Sequence, residues 1–177
     1  MTFLFPYVLF LHVMGAILAF GPTFAYSIMG AMGGREPQHA NFALRVTAAI
    51  GTKLVYPLAI FQGVTGVGLI LIGGVPLMSR PWLLVAIILY VMLLGYAFTV
   101  QRHTLHELID MTSAPPPAGG AAAPGMPSPA ASAGTTPAPA GPPPAMLALV
   151  RKIQRGGMFM GLTVIVIVFL MVVKPGR

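Results

Sequence analysis

Four apolar runs of near-membrane length dominate this chain: Phe3–Met29, Ile50–Ile72, Pro81–Val100 and Phe159–Val173. A bilayer's hydrocarbon core is about 30 Å thick, and a helix needs about 20 apolar residues to cross it. The second run has a lead-in from Pro37, a favoured first helical residue. The fourth is short, so its helix is expected to begin near Met146 as a basic amphipathic turn. Only 7% of the 177 residues are charged, against about 25% in a soluble domain. Too few charges remain to wet the surface of a soluble core. The expected fold is an all-α, four-helix transmembrane bundle. The first run starts with no Lys or Arg before it. It therefore reads as a retained helix, since a signal peptide carries a basic leader.

The charges set the orientation. Arg35, Arg45 and Lys53 flank the first loop, and Arg102, Arg151, Lys152 and Arg155 flank the third. The other side holds Arg80, Lys174 and Arg177. Seven against three predicts both termini outside and the first and third loops in the cytoplasm, in the cell inner membrane. Placed at the ends of apolar runs, the net charge of +7 is a topology signal and not a nucleic-acid surface. Thr112–Ala145 is rich in Pro, Ala, Gly and Ser. It reads as a disordered cytoplasmic loop, partly polyproline II, whose PPP runs are either a passive tether or a docking motif. The chain thus divides into helices 1–3 (1–111), the linker (112–145), and the lead-in with helix 4 (146–177). The chain has no cysteine, which excludes disulfides, thiolate metal sites and Cys nucleophiles.

One histidine, His12, lies inside the first run, about 14 Å deep at 1.5 Å per residue. The same depth falls near Gln62 and Thr65 in the second run, Tyr90 in the third and Thr163 in the fourth. Polar groups in a membrane face the bundle interior and pair with one another. His12, Gln62, Tyr90 and Thr163 are therefore expected to form a polar layer. Small residues at helical steps support inward placement: Gly15, Ala16, Ala19, Thr23 and Ser27 follow His12. Ala59, Gly63 and Gly66 accompany Gln62, and Gly157 and Gly161 lie in the fourth run. Trp82 and Tyr7 are expected in an outer interfacial belt. Two readings of the layer stand. His12 is a ligand or proton carrier, or it is a neutral structural residue bonded to Gln62 or Tyr90. Haem is the candidate cofactor for the first. No second His lies in an apolar run, so Met14, Met92, Met158 and Met160 are the remaining axial ligands.

A second constellation is RHTLHELID, Arg102–Asp110. On a continuing helix His103, Glu107 and Asp110 share a face, with His106 beside it. Imidazole and carboxylate suit a divalent metal, although HxxHE is not a zinc-protease spacing. The alternative is a solvated helix end. Arg45, Lys53, Arg102, Arg151, Lys152 and Arg155 are placed to hold anionic lipid headgroups, or serve as orientation signals alone.

The segments LHVMGAILAFGP, YPLAIFQGVTGVGLILIGG and RPWLLVAIILYVMLLG resemble a bacterial family of four-helix integral membrane proteins, domain of unknown function 2269. The resemblance covers most of the chain outside the linker, which is an insertion by comparison, and it brings no settled activity. A fainter similarity, through His12 and Gly15 in an HxxG first helix, links the chain to the membrane protoporphyrinogen oxidase and the copper-resistance D-type proteins. It implies His12 as a haem or copper ligand. The third run carries neither a lysine nor a histidine. The leading expectation is a non-enzymatic membrane component that associates with lipid or with a membrane-protein partner, including a second copy. A cofactor-binding protein is the first alternative, and a proton-linked transporter using His12 the second.

Overall fold

The computed structural model describes residues 2–113 and 142–175. Four long helices account for nearly all of them: α1 (Phe5–Arg35), α2 (Pro37–Gly73), α3 (Pro81–Ser113) and α4 (Pro144–Val173). Pro37, Pro81 and Pro144 each open a helix, where proline's missing N–H costs nothing. α2 ends at Gly74, whose φ of 58° is left-handed. That geometry lets Gly74 and Val75 donate their N–H groups back to Leu71 and Ile70, closing the helix end in the way glycine favours.

The helices are longer than the apolar runs. At about 1.5 Å per residue, the 37 residues of α2 reach about 55 Å and the 33 of α3 about 50 Å. A hydrocarbon core of about 30 Å, counted from Gly73 and Pro81, is used up near Lys53 in α2 and Arg102 in α3. The remainder projects beyond the bilayer on the side of the first and third loops. The sequence boundaries need correction accordingly. α1 continues past Met29 to Arg35, and α3 continues past Val100 to Ser113. α4 begins at Pro144, ahead of Met146. Thr112, Ser113, Pro144 and Ala145, assigned to the linker, are helical. Residues 114–141 and Arg177 lie outside the described residues, and so do the expected disorder and the first PPP run.

Neighbours in sequence are neighbours in space. α1 packs along α2, and α3 along α4. The projecting ends of α2 and α3 also pack together. Small residues make the contacts close: Gly15 and Ala19 in α1, Ala59 in α2, Ala86 and Ala97 in α3 and Gly156 in α4 are buried. In a membrane, where apolar burial gives helices no reason to associate, such residues let backbones approach. A Cβ on Gly15 would sit 2.8 Å from the Gln62 amide oxygen, and one on Gly66 3.1 Å from the His12 ring. Large apolar side chains such as Phe24, Val64, Leu71 and Val172 point outward to lipid.

Two turns of π-helix interrupt the rods, at Gly51–Val55 in α2 and Ala97–Gln101 in α3. Tyr56, directly after the first, and Phe98, within the second, meet with ring centroids 4.7 Å apart. Gln101, the last residue of the second, donates its amide to the Ile153 carbonyl of α4 at 3.3 Å. Gly156 lies directly against Gln101 and Tyr96. Gly157 and Gly161, expected at this contact, meet nothing within 4 Å. One residue along a helix turns the side chain by about 100°, so the glycine that faces α3 is the one before. Trp82, in the first turn of α3, is buried, with Lys174 6.0 Å from its ring centre. Tyr7 is exposed.

Candidate functional site

The polar centre of the membrane-embedded part lies between α1 and α2. His12 is half-buried, and Gln62 and Thr65 are buried. Gln62 and Thr65 are three residues apart and so share one face of α2. That face meets the Gly15–Ala19 side of α1. Gln62 Nε2 lies 3.0 Å from His12 Nε2. Thr65 Oγ1 lies 3.0 Å from His12 Nδ1. It also lies 3.0 Å from each of two carbonyls of its own helix, Phe61 and Gln62.

The hydrogens of this node follow from the orientation of the Gln62 amide. The Gln62 amide nitrogen is only a donor, so His12 Nε2 must accept. Nδ1 then carries the proton of a neutral imidazole and donates it to Thr65 Oγ1. The Thr65 hydroxyl gives its own hydrogen to its helix. Both ring nitrogens of His12 are then engaged. One group stays outside the scheme: Gln62 Oε1 is buried without a hydrogen-bond partner, against Gly15.

The other members of the expected layer lie elsewhere. Tyr90 donates its hydroxyl to the Ala59 carbonyl, and its ring lies over Gly63. It therefore bridges α3 to the neighbouring face of α2 and makes no hydrogen bond to His12. Thr163 is buried but donates to the Phe159 carbonyl of its own helix at 2.8 Å. The structure thus joins His12 to Gln62 and brings in Thr65, while Tyr90 and Thr163 stand apart.

In this geometry both His12 ring nitrogens are engaged in hydrogen bonds. A coordinating imidazole must turn one free nitrogen lone pair toward the metal. In His12 the lone pair is taken by Gln62 and the N–H by Thr65. Coordination would require the α1–α2 bonds to break.

The second constellation lies on the projecting end of α3. His103, His106, Glu107 and Asp110 are all exposed. His106 Nδ1 donates to the Arg102 carbonyl at 2.8 Å. No group of three or more His, Asp or Glu side chains able to hold a metal forms among the described residues. The buried face of this stretch is built instead from Thr104 and Leu108.

Sequence reasoning missed Asn41. Its side-chain amide donates to Thr112 Oγ1 and Ser113 Oγ at 2.9 Å, and to the Ile109 carbonyl at 3.3 Å. It thereby ties the start of α2 to the end of α3 and satisfies a terminal carbonyl. No local pattern announces a partner about 70 residues away.

Arg45, Lys53, Arg102, Arg151, Lys152 and Arg155 all lie on this projecting end or at its base, and all are exposed. Among the described residues the one ion pair is His39 with Glu36, at 4.0 Å. Among the described residues none of the six bases pairs with a carboxylate.

A family model described as predicted integral membrane protein (DUF2269) matches residues 6–114. These span α1, α2 and α3, and include the His12 node. No curated protein matches the chain, and no solved structure does.

Proposed function

This chain belongs to the DUF2269 family of predicted integral membrane proteins, and on that premise we propose that it is a non-enzymatic membrane component whose basic end associates with anionic lipid. The observation that carries this reading is the set of exposed bases without acidic partners: Arg45, Lys53, Arg102, Arg151, Lys152 and Arg155. A base near an anionic bilayer surface gains about 1 kcal/mol. Six of them gathered where the helices leave the hydrocarbon make phosphate the natural counterion. The closed His12 node supports association over chemistry, because its ring nitrogens are spent between helices. The charge bias supports an orientation with both termini outside and the first and third loops in the cytoplasm, and the inner membrane is the compartment proposed.

The test is native mass spectrometry of protein from nanodiscs of mixed phosphatidylcholine and phosphatidylglycerol. Retention of phosphatidylglycerol over phosphatidylcholine is expected. A lipid-free monomer with no co-purifying protein would overturn the proposal. Orientation has a clean assay, since the chain has no native cysteine. Gln38→Cys is expected to be shielded from an impermeant thiol reagent in intact cells, and Ser79→Cys to be labelled.

A further inference from the structure

A shallow, open hollow of about 380 Å³ lies along one face of α3, lined by Phe98, Thr99, Arg102, His103 and His106; it is called the groove below. Its position follows from the backbone. Phe98 and Thr99 lie inside the π turn Ala97–Gln101, and Arg102 and His103 follow it directly. A π turn widens the helix and shifts the phase of its side chains, and such turns gather at functional sites. The depth is set by length. Arg102 stands about 32 Å from Pro81 at about 1.5 Å per residue, against a hydrocarbon core of about 30 Å. One end of the groove, at Phe98, is therefore at acyl-chain level, and the other, at Arg102, His103 and His106, is at headgroup level.

The donors suit a phosphate. Arg102 is exposed and has no acid partner among the described residues, so its guanidinium fork is free for a bidentate pair. His103 makes no hydrogen bond within the described residues and supplies one N–H even when neutral. His106 spends its Nδ1 proton on the Arg102 carbonyl and forms a wall of the groove. Thr99 is committed to the Gly95 carbonyl at 2.6 Å. Glu107 and Asp110 lie further along the helix, outside the lining. We propose that this groove seats the phosphate of an anionic phospholipid, held by Arg102 and His103, with the glycerol and upper acyl chain against Phe98. The proposal rests on the basic-end reading above and narrows it to one site. The apolar end and the depth favour a lipid over a free phosphate compound.

The experiment measures phosphatidylglycerol retention by native mass spectrometry from the same mixed nanodiscs. Wild type is compared with Arg102→Ala, Arg102→Lys, His103→Ala and Arg35→Ala. Arg35 is also an exposed loop-side base, but it lies outside the groove. Arg102→Ala is expected to weaken retention about tenfold, the scale of a lost charge-assisted pair. Arg102→Lys, which keeps the charge and loses the fork, is expected to fall between. His103→Ala is expected to weaken it about threefold, as for one hydrogen bond. Arg35→Ala is expected to stay within about twofold of wild type, as a screened surface charge does. Equal losses in Arg102→Ala and Arg35→Ala would overturn the groove and leave the basic-end reading standing. No preference for phosphatidylglycerol in wild type would overturn both. Release of the lipid by excess inorganic phosphate would show a site for a soluble phosphate and overturn the lipid assignment.

Discussion

The His12 node and the basic end around Arg102 are the two polar regions of this molecule, and they are built on opposite terms. At the node, Gln62 and Thr65 occupy both ring nitrogens of His12 across a helix contact, and Gln62 Oε1 alone is left without a partner. At the basic end, arginines and lysines stand exposed without a carboxylate among the described residues. The difference follows the solvent. Inside hydrocarbon an unpaired polar group is expensive, so the chain supplies the partner itself. Past the hydrocarbon edge water and headgroups are available, and charge can be left for something outside the chain. A polar residue therefore says less about function when it is deep and satisfied than when it is shallow and unsatisfied.

The comparison can be broken first at the helix contact. Gly66→Leu drives a side chain into the His12 ring, which already lies 3.1 Å from a Cβ placed there. It is expected to cost about 3 kcal/mol, the upper end for overpacking. Denaturant unfolding in detergent micelles reads this, and an unchanged midpoint would mean that α1 and α2 are not packed here.

Gln62→Leu tests the node itself. It removes the donor to His12 Nε2 and is expected to destabilise by about 2 kcal/mol, within the range for stranding a buried polar group. A double-mutant cycle between His12→Ala and Gln62→Ala should return a coupling of about 0.6–1.7 kcal/mol, as for interhelical hydrogen bonds in membranes. In the same preparations, added haem should give no Soret band that His12→Ala abolishes. Such a band would break the contrast, since the node would then open for a ligand.

Asn41→Ala acts on the boundary between the regions. It is expected to cost about 1 kcal/mol and to speed amide exchange at Ile109–Ser113 while exchange around His12 stays slow. Salt gives the smallest effect on stability and the sharpest separation. Raising ionic strength should weaken lipid retention at the basic end. It should move the unfolding free energy by less than about 0.5 kcal/mol, because the node lies within the hydrocarbon, away from screening ions. Equal sensitivity of both would erase the distinction.

The four crossings were legible because bilayer thickness is a hard constraint that apolar run length meets or misses. The helix ends were not. α3 beyond Val100 is polar on one side and stays helical because Thr104 and Leu108 are buried and Asn41 holds its last turn. Those are tertiary causes. Depth counting paired His12 with Gln62 correctly, because helices of known rise share a level. It overreached with Tyr90 and Thr163, because level says nothing about which way around the helix a side chain points. Gly156 against Gly157 is the same lesson at one-residue scale, and the π turn at Ala97–Gln101 adds a phase shift that no composition reveals.

The node's spacing also bears on how the protein is made. Gln62 and Thr65 follow His12 by 50 and 53 residues. At about 5–20 residues per second of synthesis, roughly 3–10 s separate the first helix from its partners. Over that interval α1 carries a half-finished hydrogen-bond set, and the ring is satisfied only once α2 arrives beside it. The first hairpin is therefore the smallest stretch of chain that holds both partners of the His12 ring.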